Sequence, residues 1–208
     1  MPKIPQKKPL SLAAKLADPR RRTNKADAKR KALRDQLWPG SAAWIWDISD
    51  KEAVVGFATL PRLMPWVLHL IQILVKDENK KGDPSAAYLE LWCRDYGQCI
   101  ISITDEQENA YAAGYSSTRA IRTWRDHMLK LVELGFIKAM VEGNREYGQI
   151  LLLNPIAVCA KLRRDKKVPD EWWTSFVRRA HAIGATIPEP LNTEIVPNKS
   201  EPEKDDEE

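Results

Sequence analysis

A mainly α chain carrying one small β ribbon, an α+β fold, is what this sequence predicts, and three observations carry the prediction. Apolar residues recur at helical spacing, as Leu63, Trp66, Val67, Leu70, Ile71 and Leu74 do. A β-branched run, Ile100, Ile101 and Ile103, stands alone between helical stretches, as a short strand does. Two apolar runs, 136–141 and 149–153, flank a polar segment rich in turn formers, which is the pattern of a hairpin.

Taken in order, residues 1–37 form a basic arm with helix formers from Pro19 to about Leu37, and Trp38-Pro39-Gly40 ends it. The run 43–48 reads as a strand or an apolar anchor. A buried helix spans 61–76, and 78–83 is a loop. Pro84, at a first helical position, opens a helix to about Tyr96. After the strand at Ile100, Thr104 and Gln107 have capping-box spacing, while Asp105 and Glu106 put negative charge where the helix dipole favours it. That helix is short, and Gly114 is placed to end it in a left-handed cap. Ser116 or Ser117 caps the next helix, 118–134, which Gly135 terminates. The hairpin follows, with a seven-residue loop at 142–148 in which two glycines and Asn144 supply positive φ angles. Asn154-Pro155 then opens a helix to about Arg164, Val168-Pro169-Asp170 breaks it, and 171–183 forms the last helix. Its Trp172, Trp173, Phe176 and Val177 dock either on the body or on a second subunit. The eight tryptophans read as packing anchors.

Within helix 118–134, a rotation of 100° per residue puts Ile121, Trp124, Met128, Leu131 and Val132 on one apolar arc. Arg119, Arg122, Thr123, Asp126 and Lys130 lie opposite. Arg125, nearer the apolar arc, reads as a structural ion pair.

Strand, short helix, turn, longer helix and hairpin is the order of a winged helix–turn–helix, and 85–155 resembles that superfamily of bacterial DNA-binding proteins. The Ala110/Gly114 spacing resembles the A-x-x-x-G of such helix pairs. The runs GFATLPRLMP, YLELWCRDYG and RTWRDHMLKLVELGFI also resemble uncharacterised proteins of proteobacterial plasmids and mobile elements, over residues 38–184. The resemblance implies that the second helix enters the major groove and reads base edges from its N-terminal half. Ser117, Arg119, Arg122, Thr123 and Lys130, with Asn144 and Arg145 on the wing, are the candidate DNA-binding residues. Arginine bonds guanine bidentately, and threonine suits a phosphate or a thymine methyl. At the wing tip, a groove contact and an ordinary solubilising loop both remain open.

Charge supports the same partner. Twelve Lys or Arg precede Asp35, opposed only by Asp18, Asp27 and Asp35, so the formal net charge of +4 hides a basic arm and an acidic tail. The arm and a second cluster at 161–167 suit phosphate contacts. The tail reads as solubilising; DNA mimicry and shielding of the arm are the other readings. Both termini are expected to be disordered.

Exclusions follow from what is missing. The longest apolar run, 66–75, is far shorter than the roughly 20 residues of a membrane span, and the N-terminus has no secretory h-region. Cys93, Cys99 and Cys159 are unpaired in spacing, as in a reducing compartment, and His69, His127 and His181 show no ligand pattern. No phosphate-binding glycine loop and no hydrolase or metalloprotease motif is present. The expected organisation is an arm (1–37), a winged-helix domain (38–168), a helix (169–184) and an acidic tail (185–208). The expected function is sequence-specific binding of double-stranded DNA in the cytoplasm, without enzymatic activity, cofactor, metal or small-molecule substrate, by a possible homodimer. Transcriptional regulation of a plasmid or mobile element leads. Plasmid replication initiation or partition, and a winged helix used for protein contacts, are the alternatives.

Overall fold

The computed structural model describes residues 19–41, 45, 57–76 and 82–190. The chain divides into two units, residues 1–56 and 57–208. In the first, α1 (Pro19–Leu37) is a single basic helix with no apolar stripe. Arg30 pairs with Asp27 (2.7 Å) and Arg34 with Asp35 (2.7 Å), both at the surface. The expected stop at Trp38-Pro39-Gly40 is observed, Gly40 having φ 76. Trp38 is 61% exposed, against the expectation of a packing anchor. The apolar run at 43–48 lies outside the described residues except for exposed Ile45.

The second unit is mixed α and β. Among the described residues it contains α2 (Met64–Lys76), α3 (Ser85–Arg94), β1 (Ile100–Ser102), α4 (Glu106–Ala112), α5 (Ala120–Leu134), β2 (Ile137–Glu142), β3 (Arg145–Leu152), α6 (Pro155–Arg164) and α7 (Asp170–Ala182). The strands form one antiparallel sheet in the order β1-β3-β2. Ile100 faces Leu151 across one ladder, and Ile137 faces Leu152 across the other. Alternation sends Ile101, Ile150 and Leu152 into the core and leaves Ile100, Leu151 and Met140 exposed on the other face.

Local chemistry explains the boundaries, and in three places overrides expectation. The cap of α4 is Asp105 rather than Thr104: its carboxylate accepts from the amides of Gln107 (2.8 Å) and Glu108 (3.2 Å). An ionised acceptor at a helix N-terminus outcompetes a hydroxyl. Neither Ser116 nor Ser117 caps α5, which begins two residues later than expected; Ser117 Oγ accepts instead from the Arg119 amide (3.3 Å) in the turn before it. The hairpin loop is two residues, Gly143-Asn144, because Glu142 and Arg145 already pair. Gly143 has the positive φ (59) there, while Asn144 and Gly148 do not. Gly148 has a different task. Tyr147 and Gly148 are both buried, interrupting the alternation of β3 where the ladder is irregular between Met140 and Glu142. A Cβ on Gly148 would strike the Glu142 side chain and lie 3.0 Å from its amide nitrogen.

Four helices end alike. In α4, α5, α6 and α7 a left-handed residue just past the helix bonds back to the third residue before it, and the next amide reaches one position further, as in Tyr115 to Ala110, Phe136 to Leu131, Lys167 to Leu162 and Ala185 to Ala180. This Schellman pattern requires a left-handed residue. Gly114, Gly135 and Gly184 fill that place in three helices; Lys166, with φ 58, fills it in α6.

The core gathers α2, α3, α5, the sheet, α6 and α7. Trp172 stacks on Phe176 at 4.8 Å and meets Trp66 edge-on at 6.2 Å, so these two residues of α7 dock on its own body, while Trp173 and Val177 stay half-buried. Ala185 and Ile187 pack on the same core beyond the helix end. Trp92, Trp124 and Trp172 are buried and Trp66 and Trp173 half-buried, as anchors should be. Trp44 and Trp46 lie outside the described residues.

Two substitutions should move stability in opposite directions. Gly148→Ala is expected to destabilise by about 1–3 kcal/mol through overpacking against Glu142. Lys166→Gly is expected to stabilise by about 1 kcal/mol by removing the left-handed penalty. Denaturant unfolding of both variants checks the pair; equal midpoints would remove the argument from both positions.

Candidate nucleic-acid interface

The site is built on α5, and Trp124 sets its rotation. Trp124 is buried and meets Tyr147 of β3 edge-on at 5.8 Å, and Met128, Leu131 and Leu134 are buried on the same helix. The buried arc also takes Ala120, His127 and Lys130. At 100° per residue its centre is turned by about 70° from the arc that the apolar residues alone define. Ile121 is left half-buried, and Val132 and Arg125 turn out to solvent. Leu134 was the available signal: including it shifts the arc toward the observed one.

The rotation redistributes the candidate residues. Lys130, expected on the DNA-facing side, is only 6% exposed, and its ammonium lies 3.1 Å from Glu133. It therefore leaves the interface, because it sits on the core arc and its polarity had marked it as solvent-facing. Thr123 is half-buried. Arg119 and Arg122 are exposed and have no ion-pair partner among the described residues. Ser117 is exposed in the turn that leads to them. Arg125 is the expected structural arginine, paired with Glu106 of α4, whose side chain is nearly buried.

At the hairpin, the two tip candidates diverge. Asn144 is exposed at the turn. Arg145 folds back instead: it donates to the Thr104 carbonyl (3.2 Å) and to Glu142 (3.3 Å), tying the hairpin to the start of α4. Its guanidinium fixes the hairpin's attitude.

Close packing of α4 on α5 uses Ala110 and Ala113, both buried. The turn between the helices is pinned by Tyr115, whose hydroxyl shares a 2.6 Å hydrogen bond with His127 Nδ1. Gly82 closes over the other ring nitrogen, since a Cβ there would lie 2.6 Å from Nε2. Sequence spacing gave His127 no role, and its contact with Tyr115 twelve residues away is what gives it one. Burial, and then the charge of Asp83, pushes the Tyr115 phenol up to about 12. Burial, then Glu146, does the same for Tyr147, also to about 12.

The exposed side of α5 has two halves. Arg119, Arg122 and Asp126 occupy the N-terminal one, and Leu129, Val132 and Glu133 the other. Beyond Val132 a groove of ≈ 660 Å³ continues past Ile137, Met140, Leu151 and Ile100 to Lys161. Lys161 of α6 thus lies by the C-terminal end of α5, about 20 Å along that helix from Arg119 at 1.5 Å per residue. Among the described residues no group of His, Cys, Asp or Glu is arranged to hold a metal ion, and no helix is long and apolar enough to cross a membrane. Comparison with protein-family models, curated proteins and solved structures returned no match.

Phenols that the fold keeps protonated predict a pH dependence, Tyr115 and Tyr147 among them, and fully buried Tyr88 is pushed up in the same direction by its burial. Unfolded tyrosines ionise near 10, whereas Tyr115 and Tyr147 hold their protons to about 12. The folded state therefore binds more protons in that window, and stability falls as pH rises through it. Urea unfolding at a series of pH values should show the decline, made shallower by Tyr147→Phe. A flat profile would mean that neither phenol is held by the fold.

Proposed function

We propose that α4, α5 and the β2–β3 hairpin form a winged helix–turn–helix, and that the protein binds double-stranded DNA in the cytoplasm through the N-terminal half of α5. The observation that carries this reading is the pair Arg119 and Arg122, exposed and without ion-pair partners among the described residues, at the start of a helix whose other arginine is tied to Glu106. Unpaired guanidinium groups at a helix N-terminus are disfavoured by the dipole, so a partner of opposite charge relieves them. Guanine O6 and N7 suit the arginine fork, and each bidentate pair contributes about 1–3 kcal/mol of discrimination. Asn144 reaches the backbone or the minor groove from the hairpin tip, and Ser117 offers its hydroxyl to a phosphate. The arm adds sequence-independent phosphate contacts, whose strength falls with salt as counterions return. No cofactor is needed for such recognition.

Within this reading the protein is a transcriptional regulator of a plasmid or mobile element. Replication initiation or partition would use the same module, and the position of the bound fragment beside a promoter or an origin separates the roles. A second reading, a winged module that contacts protein, is favoured by the apolar groove of ≈ 660 Å³ next to the C-terminal half of α5.

The test is binding to fragments of the replicon that encodes the chain, titrated against salt. Arg119→Ala with Arg122→Ala should lower affinity for one discrete fragment by about 1–3 kcal/mol per arginine, with unchanged unfolding because both side chains are in water. Equal binding by variant and parent would take α5 out of the interface. Absence of binding at low salt would transfer the reading to a protein partner.

A further inference from the structure

The junction of α6 and α7 concentrates positive charge of which the fold uses only a part. Lys161, Arg163, Arg164, Lys166 and Lys167 crowd the end of α6, with Asp165 the one acid among them. Arg163 is engaged, donating to Asp170 and to the Val168 carbonyl (3.2 Å), and Arg164 has Asp165 at 3.3 Å. Lys166 and Lys167 have no ion pair among the described residues, and both are exposed. A recess of ≈ 580 Å³ is lined by Arg163, Arg164, Lys166, Val168, Pro169 and Asp170. Lys166 stands in the left-handed position that glycine occupies at the ends of α4, α5 and α7. Helix termination alone gives no reason for a lysine there, whereas a ligand for its ammonium would.

The chain contains a ligand of matching chemistry. Residues 191–208 include seven carboxylates (Glu194, Glu201, Glu203, Asp205, Asp206, Glu207 and Glu208) against Lys199 and Lys204. They follow Pro190, the last described residue, and α7 begins at the recess itself through the Asp170–Arg163 pair. Helix α7 has 13 residues, which at 1.5 Å each carries the chain about 20 Å away. The remaining residues extend to roughly 60 Å, enough to return.

We propose that the acidic C-terminal segment is the ligand of the α6–α7 basic junction, where its carboxylates neutralise Lys166 and Lys167 and compete with external polyanions. Tethering sets its effective concentration near the millimolar range, so modest individual contacts suffice. Phosphates reach these lysines only by displacing the segment. The proposal does not depend on DNA being the partner of α5.

Amine acylation rates, read by peptide mass spectrometry in the absence of nucleic acid, test it. Full chain, a chain ending at residue 190, and the variant Asp205→Asn, Asp206→Asn, Glu207→Gln, Glu208→Gln are compared. Lys166 and Lys167 should react roughly threefold or more slowly in the full chain, as a tethered ligand implies. Exposed Lys76 should react equally in all three. About 1 M salt, with its Debye length near 3 Å, should abolish the protection. Equal rates at Lys166 and Lys167 in all three chains would overturn the proposal. So would release of Lys25 and Lys29 instead, which places the segment on the arm. Protection that grows with protein concentration would overturn it too, since it shows pairing between molecules.

Discussion

Strand β3 is the constraint on which the rest of the second unit depends. It pairs with β1, some fifty residues earlier, and with β2 directly before it, so it alone joins the two ends of the α4–α5 segment. It also carries Tyr147, whose ring receives the edge of Trp124. The indole nitrogen of Trp124 is buried without a hydrogen-bond partner, a cost of about 1–3 kcal/mol that the packing of so large a side chain offsets. Tyr147 can turn toward α5 only because the alternation of β3 breaks at Gly148, which tolerates Glu142 against its backbone. Ladder irregularity, aromatic contact and helix rotation are thus one chain of causes. Together they decide which side chains of α5 face water.

Local signals were legible in the residues, and relations between distant segments were not. Gly114 and Gly135 announced helix ends because no other residue takes a left-handed cap at so little cost. The β-branched run at Ile100 and the apolar pair around the hairpin gave the sheet, and Arg125 was read as structural. The rotation of α5 was misjudged because Lys130 and His127 are polar yet lie on the core arc; pattern counting assigns polar residues to water, while burial allows them when Glu133 or Tyr115 satisfies them. Arg145 was placed at a seven-residue loop because its partner, the Thr104 carbonyl, is 41 residues away. In each case the deciding contact is tertiary, and local spacing does not encode it.

The resulting electrostatics divide affinity from readout. On α5 the exposed arginines share their side of the helix with Asp126, and Arg125 is already neutralised by Glu106, with Glu146 acting on it as well. Such a surface attracts a polyanion weakly. The density of positive charge lies in α1 and its flanks and at the end of α6. On the reading proposed here, two arginines on a rigid helix choose among sequences, and the arm supplies most of the phosphate contacts.

That division also explains why an acidic segment on the same chain is consistent with a DNA-binding role. Long-range attraction from arm and α6 acts on any polyanion, including the many non-specific sites that compete with a target. A tethered anion lowers that indiscriminate term at every site by the same factor. On that proposal it bears less on Arg119 and Arg122, which stand at the opposite end of α5 from Lys161, farther along the helix than the Debye length of about 8 Å at physiological ionic strength. Total affinity then falls while the ratio of specific to non-specific binding holds, and exchange between sites quickens. Few free charges on α5, with opposite charges concentrated at the two ends of the sequence, is the arrangement that this balance requires.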